Sequence, residues 1–124
     1  MKKFFTYSII ALIFCLSSFV LVDDVISAIK NGSASQLSKF FDNTIQITLP
    51  DKTNAYSKSQ GELVLKDFFE NNVVKNFEIV HKGENAGVQY IIGILDTKNG
   101  EYRTTMYMKQ KGDKQFLQEI RFEK

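Results

Sequence analysis

The stretch VQYIIGILDTKNGEYRTTMYMKQ, residues 88–110, decides the fold class, because it places two strand-like segments on either side of one tight turn. Both segments are rich in β-branched and aromatic residues, which favour strands. The pair Asn99-Gly100 between them is a strong signal for a two-residue β-hairpin. The stretch therefore predicts two neighbouring antiparallel strands.

The first of these strands is apolar on both sides, whereas a strand with one solvated face should alternate apolar and polar residues. Successive side chains point to opposite faces, which gives two apolar sets: Tyr90, Ile92 and Ile94, and Ile91 and Leu95. Gly93 offers one explanation, a bulge that bends the sheet and switches its faces. The other is that a partner, such as a second copy of the chain, covers the outer face.

The segments around this hairpin complete the fold prediction. Three more have the pattern of strands, with alternating or apolar residues bounded by turns: residues 43–50, 76–83 and 115–123. Three have the pattern of amphipathic helices: residues 23–33, 33–42 and 56–72. Ser33 with Gln36, and Ser57 with Gln60, have the spacing of a capping box. The order is helix, helix, strand, helix and four strands, which predicts an α+β fold with an antiparallel sheet.

The first 22 residues have the layout of a secretory signal peptide. Lys2 and Lys3 precede an apolar run over residues 4–22, and small residues lie near its end. The alternative is an uncleaved membrane anchor, because about 20 apolar residues span a bilayer. We therefore expect an exported protein, periplasmic or secreted, with one domain over residues 23–124 and membrane contact only through an uncleaved leader.

Charge and cysteine content exclude several classes of function. The formal net charge is +2, but removing Lys2 and Lys3 leaves 14 basic against 14 acidic residues, so no excess of positive charge remains to bind nucleic acid. Cys15, the only cysteine, lies in the leader, so the mature domain has no disulfide or cysteine metal site. His81 is the only histidine, which predicts no metal site and no cofactor.

Several motifs carry a family resemblance: AIKNGSASQLSKFFD, YSKSQGELVLKDFF, HKGE and YIIGILDTKNGEYR. With them the chain resembles a family of short exported bacterial proteins defined only as a domain of unknown function, number 4783. More broadly it resembles the nuclear transport factor 2-like superfamily, a cystatin-like α+β cone. The resemblance implies three N-terminal helices packed on a strongly curved antiparallel sheet, with a pocket at the open end. That superfamily contains isomerases, dehydratases, transport adaptors and proteins without known activity, so the fold implies no reaction.

The candidate site residues follow from this expected pocket. On an ideal strand His81 shares a face with Phe77 and Ile79, which should look toward the helices and the pocket. Tyr90 is expected in the core with its hydroxyl near the pocket mouth, and the ligand-binding candidates are His81, Tyr90, Tyr56 and Phe68. No Ser/His/Asp set or phosphate loop is present in the sequence, so no catalytic residue is assigned.

These observations favour a small, exported, non-catalytic domain that binds a small apolar ligand or a protein partner. One alternative is a small isomerase-like or dehydratase-like enzyme that uses His81 and a pocket tyrosine. In that enzyme the imidazole should contact a tyrosine hydroxyl or a ligand within about 3.2 Å. The other alternative is a structural module of the cell envelope that forms a homodimer through the outer sheet face.

Overall fold

A computed structural model describes residues 22–124 of the chain. The predicted leader, apart from its last residue, and Cys15 lie outside the described residues. Within residues 22–124, no helix is both long enough and apolar enough to span a membrane. The elements in chain order are α1 over residues 22–30, α2 Ala34–Ser38, β1 Phe41–Leu49, β2 Lys52–Ser57, α3 Lys58–Asn71, β3 Val74–Asn85, β4 Val88–Thr97, β5 Gly100–Lys111 and β6 Lys114–Glu123.

The helix starts follow from the predicted capping residues. The Ser33 hydroxyl accepts a hydrogen bond from the backbone N–H of Gln36 at 3.2 Å, and Ser57 does the same for Gln60 at 3.3 Å. Each serine satisfies a backbone donor that has no partner within the helix. Gly32 follows α1 with a φ of 59°, a left-handed conformation that glycine adopts without steric cost.

The α+β fold class is confirmed, but the expectation of three N-terminal helices is wrong. Only α1 and α2 precede the first strand, and α3 follows the β1–β2 hairpin. Strand β2 was not predicted, because its six residues are mostly exposed and lack apolar alternation. Phe41, expected on the second helix, begins β1 instead and is buried there.

The six strands form one curved sheet in the order β2-β1-β6-β5-β4-β3. It is not wholly antiparallel as expected, because β1 and β6 pair in parallel. The register shifts once between β1 and β6, twice between β3 and β4, and once between β5 and β6. Such bulges bend strands and increase their twist, which accounts for the curvature of the sheet around the helices.

The core lies between the helices and the inner face of the sheet. At the end where β4 turns into β5, the ring of Phe68 stacks on Phe122 with centroids 4.3 Å apart and meets Tyr102 and Phe69 edge-on at 5.2 Å and 5.7 Å. The Tyr102 hydroxyl donates a hydrogen bond to the Asn72 side chain at 2.8 Å. We call this region the aromatic end. The opposite end, where β3 turns into β4 and β5 into β6, is the open end.

Candidate functional site

A cavity of about 320 Å³ lies at the open end. It forms between the beginning of α1 and the ends of β3, β4 and β5. Its lining combines an apolar floor with polar and charged groups, from the following residues: Val22, Asp23, Lys82, Gly83, Glu84, Gln89, Tyr90, Ile91 and Met108. We refer to it as the open-end cavity.

The floor of this cavity is made by the inner face of the sheet. Ile91 on β4 pairs with Met106 on β5, and Met108, two residues further along β5, faces the same way. Ile91 and Met108 are each only 1% exposed, and Val22 packs against the core from α1. Apolar side chains from two strands and one helix therefore form a surface that a small apolar molecule can contact.

Gln89 places a polar group on that otherwise apolar surface. It is two residues before Ile91 on β4, so its side chain shares the inner face, and it pairs with Met108. Its Oε1 atom is buried and has no hydrogen-bond partner among the residues that the structure describes. Within residues 22–124, no three histidine, cysteine, aspartate or glutamate residues form a group that could hold a metal ion.

The structure places His81 on the outer face of the sheet, so its expected direction toward the helices is wrong. Ile79 pairs with Gly93, but His81 pairs with Ile92, because a bulge adds Val80 to β3 between them. Buried and half-buried residues alternate along β4, and Ile92 is on its less buried face. The bulge therefore turns His81 away from the core, where an ideal strand would have buried it.

The bulge considered at Gly93 of β4 occurs instead in the neighbouring strand β3, between Ile79 and His81. β4 itself keeps a regular alternation, with Gly93 on the buried side. A Cβ atom on Gly93 would lie 2.4 Å from the ring of Phe77 and 2.7 Å from the carbonyl oxygen of Glu78. The missing side chain lets the bulged β3 and the Phe77 ring approach β4 closely.

Tyr90 lies beside His81 and not in the core, so the expected core position of Tyr90 is also wrong. It occupies the outer face, and its hydroxyl is 3.2 Å from Nε2 of His81. The Tyr90 ring covers Gly83, where an added Cβ would come within 2.3 Å of it. Gly83 therefore permits the contact between the two side chains. This distance meets the requirement set for the catalytic alternative, but the imidazole is exposed and does not line the open-end cavity.

The other two candidates lie apart from this pair. Phe68 is 6% exposed and belongs to the aromatic end. Tyr56 is half-buried on β2, at the opposite edge of the sheet from β3, and its hydroxyl accepts a hydrogen bond from Asn54 at 3.3 Å. Of the four candidates, only Tyr90 lines the open-end cavity.

A shallow second depression lies on the outer face of the sheet. Its volume is about 380 Å³, and it is lined by Asn85, Val88, Tyr90, Ile92 and Tyr107. Most of these side chains are half-buried, so apolar and aromatic surface remains in contact with solvent. The two apolar sides of β4 therefore have different surroundings, since one packs in the core and the other is only partly covered.

An ion pair fixes the outer face near the open end. Asp42 at the beginning of β1 contacts Lys111 at the end of β5 and accepts hydrogen bonds from the Asn43 N–H at 2.8 Å and the Gln118 side chain at 3.1 Å. The Lys111 ammonium group, then the Asn43 and Gln118 donors, lower the pKa of Asp42 from 3.8 to about 2. The group links three strands.

Gln89, Lys82 and Glu84 were not among the sequence candidates. A usable signal existed for Gln89, because a polar residue interrupts the buried side of an apolar strand. Lys82 and Glu84 carried no such signal, because charged residues near a turn are common on any surface.

Known proteins with the same fold provide a further comparison. The family model described as "Domain of unknown function (DUF4783)" matches residues 22–123. A DUF4783 family protein from Bacteroides ovatus ATCC 8483 is 28% identical with a TM-score of 0.78, covering 82% of this chain and 92% of that chain. One from Bacteroides uniformis ATCC 8492 is 28% identical with a TM-score of 0.79, covering 82% and 94%. No curated protein matches the sequence.

A more distant structure supports the fold alone. An NTF-2-like protein of unknown function from Silicibacter pomeroyi DSS-3 has a TM-score of 0.59 at 9% identity, covering 87% of this chain and 92% of that chain. The helices on a curved sheet are therefore shared well beyond the range of sequence similarity.

Proposed function

The chain belongs to the DUF4783 family, and we propose that it is an exported, non-catalytic binding domain that holds a small apolar molecule in the open-end cavity. Membership of this family, and of the wider nuclear transport factor 2-like superfamily, confirms the resemblance seen in the sequence motifs. The family description states no role, so the proposal depends on the cavity itself.

One observation carries the proposal, namely the contrast between the two ends of the core. Aromatic rings fill the aromatic end, whereas the open end retains a cavity of about 320 Å³ with Ile91 and Met108 in its floor. A cavity of about 300 Å³ or more, apolar and with a few polar groups, is the usual form of a small-molecule site.

The methionine methyl groups allow a direct test. The probe is N-phenyl-1-naphthylamine, an uncharged fluorescent amine, titrated into protein with ¹³C-labelled methionine methyl groups. The Met108 resonance should shift strongly because this side chain lines the cavity, whereas that of Met106, buried deeper on the same strand, should shift much less. Equal shifts at both, or no shift at Met108 at saturating probe, would contradict binding in this cavity.

Export is the second part of the proposal, and it rests on the basic start and apolar run of residues 1–22. Mass spectrometry of protein from its native host should find a mature N-terminus between about Ser17 and Asp24. A membrane-embedded species that begins at Met1 would support the anchored alternative.

A protein partner is a second candidate, favoured by the outer face of β4. Tyr90, Ile92 and Tyr107 leave half-buried apolar surface beside one another, and a second copy could cover it as a homodimer. Sedimentation of Ile92→Arg tests this candidate, with Leu63→Arg as the control at an exposed helical position. A dimer in the wild type and the control but not in Ile92→Arg would support it. A monomeric wild type would reject it.

The enzymatic alternative has weaker support. His81 and Tyr90 contact each other at 3.2 Å on the outer face of the sheet, and of the two only Tyr90 also lines the open-end cavity. General acid–base catalysis needs a substrate held within hydrogen-bond reach of the ionisable group. The open-end cavity does not include His81, so we do not assign this residue a catalytic role.

A further inference from the structure

Two buried glutamine oxygens without hydrogen-bond partners lie at the open end. They are Oε1 of Gln89 and Oε1 of Gln115, and neither has a partner within residues 22–124. Both residues lie two positions before a core residue of the same strand, Ile91 on β4 and Leu117 on β6. Both side chains are therefore on the inner face of the sheet.

Such oxygens are rare in folded proteins, because losing water without gaining a partner is costly. The aromatic end has no comparable atom among the described residues, since the Tyr102 hydroxyl is paired with Asn72. Gln89 differs from Gln115 in one respect: it lines the open-end cavity and Gln115 does not. The oxygen itself is buried, but the Gln89 side chain is only half-buried, so a ligand reaches this oxygen if the amide rotates toward the cavity.

The charges at the rim restrict what can meet this oxygen. Asp23 and Glu84 contribute two carboxylates to the lining and Lys82 one ammonium group, so the charged lining residues carry a formal excess of one negative charge. An oxygen atom accepts hydrogen bonds only, so its partner must be a donor. An anionic head group would bring no donor and would add to the negative charge.

We propose that the ligand of the open-end cavity carries a neutral or cationic N–H or O–H donor at one end of an apolar body, and that this donor binds Oε1 of Gln89. Amides, alcohols and amines with a short apolar chain belong to this class, and fatty acids do not. The inference rests on the proposed function, because it assumes that the cavity binds a small molecule.

Competition between matched compounds tests the donor directly. Hexanamide and N,N-dimethylhexanamide share the same chain and carbonyl group, but only the first has N–H donors. Each is titrated against bound N-phenyl-1-naphthylamine. Hexanamide should compete about 5-fold better, the effect of one neutral hydrogen bond. Hexylamine should also compete better than hexanoate.

Two substitutions separate recognition from stability. Gln89→Met and Gln115→Met each replace a buried amide with an apolar chain of similar length. Both should raise Tm by about 4 °C or more, because each removes a buried polar group without a partner. Only Gln89→Met should abolish the preference for hexanamide, whereas Gln115→Met should retain it.

The outcomes distinguish the inference from the proposed function. If hexanamide and N,N-dimethylhexanamide displace the probe from the wild-type protein equally well, the cavity binds small molecules but the donor proposal is wrong. If no compound competes and the probe leaves Met108 unshifted, both proposals fail. If Gln89→Met does not fold, the relative affinity of the wild type for hexanamide and N,N-dimethylhexanamide still tests the donor proposal. A preference that survives in Gln89→Met would assign the donor contact to another residue and overturn the inference.

Discussion

The aromatic end and the open end of the core are built from the same strands but differ in how completely they are filled. At the aromatic end, Phe68 contacts three other rings, and the neighbouring polar groups of Tyr102 and Asn72 bond to each other. At the open end, the side-chain oxygens of Gln89 and Gln115 have no hydrogen-bond partner within residues 22–124, and Gln89 lines a cavity of about 320 Å³. The difference is consistent with one end supplying stability and the other giving up some stability for the proposed binding.

The largest expected effect comes from removing a ring at the aromatic end. Phe68→Ala should lower the free energy of unfolding by about 3–5 kcal/mol, because it leaves a cavity among closely packed rings. Met108→Ala at the open end should cost less, about 2 kcal/mol, because this side chain already borders unfilled space. Denaturant unfolding of both variants measures the contrast. Equal losses would mean that the two ends are equally well packed.

Two glycines allow a second comparison, between the inner and outer faces of the β3–β4 pair. Gly93→Ala should cost about 1–3 kcal/mol, because its methyl group meets the buried ring of Phe77 and the backbone of Glu78. Gly83→Ala should cost less, because the Tyr90 ring that it meets is half-buried and can rotate toward solvent. Thermal unfolding should rank the two. A larger loss for Gly83→Ala would show that the Tyr90 ring is fixed in place.

The third prediction concerns pH and is confined to the open end. The pKa of the Asp42 carboxyl group is about 2 in the folded chain and 3.8 without its folded-state contacts. The ionised carboxylate therefore stabilises the fold fully above about pH 4, and this stabilisation is lost as the pH falls toward 2. The effect should be about 1 kcal/mol, because half-exposed Lys111 is screened by solvent.

The measurement compares the wild type with Asp42→Asn from pH 7 to pH 2. Their difference in unfolding free energy should shrink below pH 4, whereas the control Glu101→Gln, at an exposed position, should track the wild type more closely. A difference that stays constant down to pH 2 would mean that the charge of Asp42 contributes nothing.

The smallest effect is expected at His81. His81→Gln should change the unfolding free energy by less than about 0.5 kcal/mol, because the imidazole is exposed and its main contact is with the Tyr90 hydroxyl. Binding of N-phenyl-1-naphthylamine should be unchanged. A substantial loss of binding would connect the outer face to the cavity and revive the catalytic alternative.

Local features of the fold could be read from the sequence because they depend on neighbouring residues. Ser33 and Ser57 cap helices as their spacing indicates, and a two-residue turn joins β4 to β5. The turn residues are Lys98 and Asn99 rather than Asn99 and Gly100, because Gly100 already pairs with Thr97 and begins β5. The exposed strand β2 and the parallel β1–β6 pair were missed, because neither leaves a local pattern. Long-range pairing depends on the whole sheet.

The candidate site was predicted less well, for one geometric reason. The prediction assumed an ideal strand through His81, but the Val80 bulge reverses which residues face inward beyond it. Lys82 therefore lines the cavity, and His81 does not. In a strand whose residues are mostly polar, an inserted residue does not visibly disturb the alternation of apolar and polar side chains. The bulge could therefore be found only from the structure.

The parallel pairing of β1 with β6 also determines when the chain can fold. Asp42 and Gln118, which bond across this pair, are 76 residues apart in sequence. The last strand to be synthesised lies in the middle of the sheet, between β1 and β5. Contacts between such distant residues slow folding, because a long loop must close before any of them forms. The β1–β2 hairpin therefore joins the rest of the sheet only after β6 is available. A chain that ended before Lys114 would have two pieces of sheet with no strand pairing between them.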